Sequence, residues 1–349
     1  MKNINPVGLF DDHFQMEKLT KLGDPLQKLS NYINWDIFKA PLDKAFSDEG
    51  KDLSKGGRPP FNKLILFKAL LIQSLYNLSD DQLEYQITDR ASFKRFLGLK
   101  KSDKVPDSKT FWFFREQLIE KDVIMDLFKT FNETLDAAGV FANEGKMVDA
   151  SFVEAPRQRN TREENKQIKE TGTAPEAWKE NPHKLCQKDT DARWAKKNEV
   201  VFYGYKNHIK SDTKTKFIEK FEVTDASVHD SQPVEGLLEE KDAGQPFYAD
   251  SAYTGEEQDK IYEKKKVVNM VNEKGYRNKP LTEEQKENNK EKSKTRARVE
   301  HIFGFVENSM NGSFVRTIGM ARAKAKIGMM NLVYNICRCT QLKITVCMG

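Results

Sequence analysis

The chain has 349 residues, 38% of them apolar and 32% charged, with a formal net charge of +5. Such a length and apolar content support two or three packed domains and exclude a chain that is disordered throughout. The longest apolar run, Leu64 to Leu78, is interrupted by Lys68 and Gln73, and the start MKNINPVGLFDDHF has no signal-peptide core, so a soluble, cytoplasmic protein with no membrane partner is expected.

Charge is more informative in its distribution than in its sum. From Asn308 to Gly349 there are six Lys or Arg and no Asp or Glu, a bias that fits a polyanionic partner as well as a solvated basic face. The four cysteines, Cys186, Cys337, Cys339 and Cys347, match no paired C-x-x-C spacing, so reduced thiols are expected rather than a zinc site.

In chain order, residues 1–55 predict helices near Gln15 to Leu22 and Pro25 to Tyr32 and carry no functional signal. GGRPP at 56–60 reads as a turn-rich hinge. Asn62 to Tyr76 is dense in Leu, Ile, Phe and Ala, as a buried helix requires, and opens a helical domain that extends to about residue 138. Ser79 followed by Gln82 matches a capping box, ASFKRFLGL stops at Gly98, and PDSKTFWFFREQLIEK starts again at Asp107 or Ser108. Short helices between tight turns fit a helix-turn-helix unit, in which Lys109, Thr110, Trp112 and Arg115 face DNA while Phe111, Phe114 and Leu118 face the core. A helical bundle without DNA contact fits the same pattern.

A second domain is expected over 139–342, followed by a tail at 343–349. In KMVDASFV (146–153) alternation predicts a strand, with Val148, Ala150 and Phe152 on one side and Met147, Asp149 and Ser151 on the other. An acid inside such a strand either faces water at its end or needs a cation, because an unpaired carboxylate in a core is costly. Ala155 to Glu199 reads as a polar insertion, partly flexible when free. Between Arg157 and Lys197 it holds eleven basic and seven acidic residues, and its Trp178 and Trp194 either anchor a loop or stack on DNA. VVFYGYKNHIKSD and KFIEKFEVTDA then predict an antiparallel pair. VHDSQPVEGLLEE supplies a short helix, PFYADSAY a strand ending at Asp250, GEEQDKIYEKKK a helix and VVNMVNE a last strand. The order predicts an α/β (α+β) mixed sheet covered by helices. Finally, TRARVEHIFGFV (295–306) has a helical stripe of Val299, Ile302, Phe303 and Val306, with Glu300 at its edge and Arg296 one turn earlier.

Asp149, Asp250 and Glu300 thus lie on elements that a mixed sheet can bring to one edge. Oxygen donors of this kind suit Mg²⁺, with Mn²⁺ as a substitute, and two ions about 4 Å apart would serve an in-line phosphoryl displacement. His301 adjoins Glu300, but helical neighbours diverge by about 100°, which turns it away from the same cleft.

DASFVEAP, YADSAY and RARVEHIFGF resemble the three catalytic motifs of transposases of the insertion-sequence-five group, within the insertion-sequence-four type of DDE transposases. RPPFNKLILFKALLIQSLYNLSDDQLEYQI resembles that group's N-terminal helical domain, so the likeness runs from about Gly56 to Leu342. The resemblance implies an RNase H-like catalytic domain behind an all-α DNA-binding domain, with Asp149, Asp250 and Glu300 as the catalytic and metal-binding triad. It also implies a DNA partner, comprising the terminal inverted repeats of an element and target DNA, and a homodimer or higher assembly that holds two ends. The wider superfamily places a Tyr and a Lys around the last acid, where this chain has Ser293 and Glu307. Arg296 still matches and is expected to contact phosphate. Lys294, Arg298, Arg316, Arg322, Lys324 and Lys326 are the nearby cations expected to take over the missing roles, and Lys206 and His208 of YKNHIK are expected near the scissile phosphate. The alternatives are a DNA-binding protein that has lost catalysis and an RNase H-like nuclease without strand transfer.

Overall fold

The computed structural model describes residues 11–47, 60–156, 158–197 and 199–346; most of the expected hinge (56–59) and Cys347 lie outside the described residues. Two compact units are present, Met1–Thr134 with Ile336–Gly349, and Leu135–Asn335. No helix among the described residues is long and apolar enough to cross a membrane.

The first unit is helical: α1 (Asp11–Lys21), α2 (Pro25–Tyr32), α3 (Lys39–Ala45), α4 (Lys63–Leu75), α5 (Asp80–Asp89), α6 (Ala91–Leu97), α7 (Ser108–Glu120) and α8 (Val123–Ala137). Local signals set these boundaries. The Ser79 and Gln82 side chains satisfy each other's backbone N–H groups at 3.2 and 3.0 Å, Asp107 accepts from the Thr110 amide at 2.7 Å, and Gly98 closes α6 at φ 76°. The apolar stripe of α7 buries Phe111, Phe114 and Leu118 as its spacing predicts. Arg115 departs from expectation: it turns onto α5 and grips Asp80 through two bonds of 2.7 and 2.8 Å, because Asp80 offers a paired carboxylate also held by Gln73.

The second unit is built on a mixed sheet of β1 (Lys146–Glu154), β2 (Arg193–Lys197), β3 (Val200–Asp212), β4 (Ile218–Asp225), β5 (Pro246–Tyr248) and β6 (Val268–Asn269). The order is β2-β3-β1-β5-β6, with β4 also paired to β3. Strands β1 and β3 run antiparallel from Lys146↔Asp212 to Glu154↔Gly204, whereas β5 joins β1 in parallel over Lys146↔Phe247 and Met147↔Tyr248. One face carries an apolar cluster of Val148, Phe247, Val234, Leu237, Tyr253 and Tyr262. On the other, Asn207 exchanges hydrogen bonds of 2.9 and 3.1 Å with Asn331 of the long helix α16 (Met320–Leu342), and Asn335 one turn on brackets the Ile218 backbone at 2.9 and 2.8 Å.

Several predicted elements change. The region after β1 is ordered into α9 (Arg162–Thr171), α10 (Glu176–Lys179), α11 (Pro182–Gln187) and β2. Its organiser is Glu164, which completes a capping box with Thr161 and accepts from the fully buried Trp178 indole at 2.8 Å, so Trp178 anchors this region instead of reaching for DNA. PFYADSAY is a strand only to Tyr248, VVNMVNE only over Val268–Asn269. TRARVEHIFGFV is not one helix either: α14 (Glu283–Arg296) ends, a 3-10 turn (Ala297–Val299) intervenes, and α15 (Glu300–Met310) begins at Glu300. The remaining helices of this unit are α12 (Val234–Leu237) and α13 (Glu256–Lys265).

Gly204, opposite Glu154, marks the tightest approach in the sheet. A Cβ there would lie 2.3 Å from the Val153 carbonyl and 2.6 Å from the Ala155 amide, at φ 151°, and backbone cannot yield as a flexible side chain can. Gly204→Ala is expected to cost about 3 kcal/mol or more, read as a thermal midpoint lowered by roughly 6 °C or more; an unchanged midpoint would show that the strand end is free to move.

Candidate active site

The site lies where β1 and β5 part. Asp149 is the second β1 residue beyond the two that pair with β5, and its side chain is only 15% exposed. Asp250 follows β5 after Ala249 and caps a 3-10 turn (Ser251–Tyr253), accepting the Ala252 amide at 2.8 Å. The parallel pairing therefore carries two aspartates, 101 positions apart in the chain, to the same end of the sheet.

Their proximity has an electrostatic cost. Burial pushes the Asp149 carboxyl up to about 6, and the charge of Asp250 pushes in the same direction. Opposing this are a hydrogen bond from the Ala150 amide at 2.8 Å and the positive charges of Arg296 and Lys197. Arg296, in the last turn of α14, reaches Asp149 with Nη1 at 3.4 Å and Glu300 with Nη2 at 3.8 Å. Glu300 lies four residues after Arg296, and the intervening 3-10 turn makes it the first position of the next helix. Glu300 itself is 67% exposed, and the buried Nε of Arg296 has no hydrogen-bond partner among the described residues. His301 is exposed on the neighbouring position.

Two further groups, which sequence reasoning passed over, complete the neighbourhood. Tyr253 is fully buried, its hydroxyl lacks a hydrogen-bond partner among the described residues, and burial followed by the charges of Asp149, Asp230 and Asp250 raises its phenol well above the usual range, so it stays protonated. Asp230 is held by Lys206 at 2.7 Å and by Lys197 at 3.7 Å. The signal was the acid in VHDS, read only as the start of a helix.

The other expected contacts fall into two groups. Lys206 also donates to the Val228 carbonyl at 2.7 Å and lies over the Phe152 ring, while His208 is fully buried against Thr224 at 2.8 Å, with burial lowering its pKa to about 4. Both point into the protein because the long strand β3 is covered on both faces, so neither stands free to meet a phosphate. By contrast Arg298, Arg316, Arg322, Lys324, Lys294 and Lys109 are exposed, Lys326 and Thr110 are half-buried, and Trp112 is 50% exposed. Lys294 pairs with Glu291, and Arg298 donates to the Thr213 carbonyl at 3.2 Å.

By donor chemistry the two aspartates and Glu300 suit a hard divalent cation. Among the described residues no group of three His, Cys, Asp or Glu stands at metal-holding geometry, and Glu300 is exposed beside Arg296.

A model of the transposase DDE domain matches residues 143–336, more than half of the chain. The chain belongs to the transposase DDE domain family. A second model, described as a transposase domain (DUF772), matches residues 14–117. The DDE transposase match covers all three acids and Arg296, and the second covers α2 to α6 and most of α7. Among solved structures, the chain is similar to a piggyBac transposase in a synaptic complex with hairpin DNA, at 12% identity and a TM-score of 0.43, over 93% of this chain and 77% of that one.

Because the folded-state pKa of Asp149 lies above its ordinary 3.8, folding takes up a proton in the window between, and stability falls as pH rises from about 4 to 6. Asp149→Asn removes that penalty. Without metal, the variant is expected to melt about 3 °C or more above the wild type at pH 8, with the gap closing near pH 4; equal midpoints at both pH values would contradict a buried, uncompensated carboxylate.

Proposed function

We propose that this transposase belongs to the insertion-sequence-five group, binds the terminal inverted repeats of its element, and uses Asp149, Asp250 and Glu300 to cleave DNA and join the freed end to a target. The observation that carries this reading is the meeting of Asp149 and Asp250 at one end of a mixed sheet, with Arg296 spanning from Asp149 to Glu300. Three antiparallel strands continued by two parallel ones, in the order β4-β3-β1-β5-β6, support an RNase H-like description of the second unit.

Asp149, Asp250 and Glu300 are the residues that would hold Mg²⁺ or Mn²⁺. When bound, the cation supplies charge stabilisation to the attacking and leaving oxygens of the phosphodiester. The chain's own part is positioning. Asp149 and Asp250 are fixed by backbone hydrogen bonds, whereas Glu300, exposed at a helix start, has freedom to turn inward. Arg296 then exchanges two carboxylates for a phosphate, which its planar group suits. Tyr253, kept protonated, holds the acids' shared wall without adding negative charge. Water attacks at the element end, and the resulting 3′-hydroxyl attacks target DNA; neither step needs a covalent protein intermediate.

DNA contacts are assigned to Arg296, Arg298, Lys294, Arg316, Arg322, Lys324 and Lys326 in the second unit. Lys109, Thr110 and Trp112 serve in the first, as the opening of a recognition helix. Holding two ends at once favours a homodimer or larger assembly on DNA, in the cytoplasm at the nucleoid.

Asp149→Asn, Asp250→Asn and Glu300→Gln are each expected to lower Mg²⁺-dependent end cleavage about a thousandfold, roughly 4 kcal/mol of barrier, in protein that remains folded. Precut ends should be joined to target DNA by the wild type only. Cleavage without joining would identify a nuclease, and full activity in any one variant would remove that residue from the triad.

A further inference from the structure

The region between β1 and β3 holds a cleft of about 400 Å³ between α9 and β2 that neither the acid triad nor the proposed contacts account for. Arg162, Lys166 and Lys169 line it from α9, at spacings of four and three that place them on one helical face. Arg193 and Lys196 line it from β2, beside Trp194. No Asp or Glu is among the lining residues. Five cations around one open cleft repel one another, a cost that an anionic ligand offsets.

The cleft is firmly built. Helix α9 is capped at both ends and buries Asn165 and Ile168 beneath it. The Trp194 indole donates to the Asn160 carbonyl at 2.9 Å and its ring packs on Tyr203 at 4.9 Å. Arg193 is held through Nη1 by the Thr190 carbonyl at 2.6 Å and the Ala192 carbonyl at 3.0 Å. Carboxylate competition is weak: Lys166 has Glu170 at 3.9 Å with both side chains exposed, and among the described residues Arg162, Lys169 and Lys196 have no ion-pair partner.

Position gives the cleft its meaning. Lys196 lines it, while the next residue, Lys197, pairs with Asp230 and acts electrostatically on Asp149. Consecutive residues of a strand project to opposite faces, so Lys196 turns to the cleft and Lys197 to the acid side, and the cleft lies across β2 from Asp230 and Asp149. We propose that the α9–β2 cleft binds the sugar–phosphate backbone of DNA next to the strand being cut, with the cations on phosphates and Trp194 and Val201 forming an apolar wall against the sugars. The proposal rests on the transposase reading and adds a sequence-independent site to it.

The test uses the full-length chain in EDTA, so that no cutting occurs, and two duplexes of about 40 base pairs, one ending in the element's terminal repeat and one of random sequence. Arg162, Lys166 and Lys169 are exposed, so the combined Arg162→Gln, Lys166→Gln, Lys169→Gln variant should keep the wild-type melting midpoint. It should bind both duplexes at least about tenfold more weakly at 0.15 M salt, with the slope of log K against log salt reduced by about 2 to 3. If the triple variant misfolds, Lys169→Gln alone should reduce the slope by about 1. Neutralising Lys286 and Lys290, which pair with Glu283 and Glu287 on α14, should not reproduce the loss. Unchanged affinity and slope in the α9 variant, or an equal loss in the α14 control, would overturn the cleft while leaving the transposase reading intact. Failure of the wild type to bind either duplex would instead remove the transposase reading itself.

Discussion

The second unit is organised around a charge that the fold does not neutralise. Asp149 sits in a strand buried deeply enough to lift its pKa to about 6, beside a second carboxylate, with one arginine at 3.4 Å as its nearest counter-charge. A protein selected only for stability would replace such an acid by an apolar residue or pair it fully. Its retention is understandable if the missing positive charge arrives with the substrate complex, and the geometry around it is consistent with that. Glu300 waits in solvent, Arg296 spans the gap, and Tyr253 presents a neutral hydroxyl where another charge would be prohibitive.

What keeps this strained corner in place is the rest of β1. At its start Lys146 is fully buried against Glu219 at 2.5 Å, and its neighbour across the core, Lys210, is gripped by Asp242 and Glu239 at 2.7 Å each. Two lysines face three carboxylates in this network, whereas Asp149, three residues further along β1, has Arg296 at 3.4 Å as its nearest counter-charge. The contrast sets two kinds of buried charge three residues apart on β1: Lys146, paired with Glu219, and Asp149, paired less closely with Arg296. Strand β1 also pairs along its whole length with β3, which α16 pins through Asn331 and Asn335. Asp149 therefore stands on a strand paired along its whole length, while Glu300 stands exposed at a helix start.

Much of this was legible in the residues. Approximate alternation in KMVDASFV and the length of VVFYGYKNHIKSD marked β1 and β3 almost to the residue, and the caps at Ser79, Gly98 and Asp107 marked the helical unit, because these signals act locally. Partnerships across the chain were not legible. Nothing in FWFFREQ tells that Arg115 has Asp80 waiting on α5, and YKNHIK looks amphipathic until the sheet is seen to be covered on both faces, which buries Lys206 and His208. The polar stretch after β1 lacked apolar periodicity because its helices are short and organised by two carboxylates, Glu164 and the buried Asp189, rather than by a continuous stripe. PFYADSAY read as a longer strand since a 3-10 turn with buried Tyr253 has the same apolar spacing as the strand it ends.

The central claim is that Asp149, Asp250 and Glu300 converge on one cation when DNA is bound. Iron-directed cleavage of the polypeptide measures this directly. Fe²⁺ replaces Mg²⁺ in the complex with end DNA, ascorbate and peroxide generate hydroxyl radicals at the ion, and the cut sites are mapped by mass spectrometry. The account predicts cuts clustered around Asp149, Asp250 and Glu300 together, suppressed by excess Mg²⁺ and absent in Asp149→Asn. Cuts confined to other segments, or a pattern indifferent to that substitution, would contradict it.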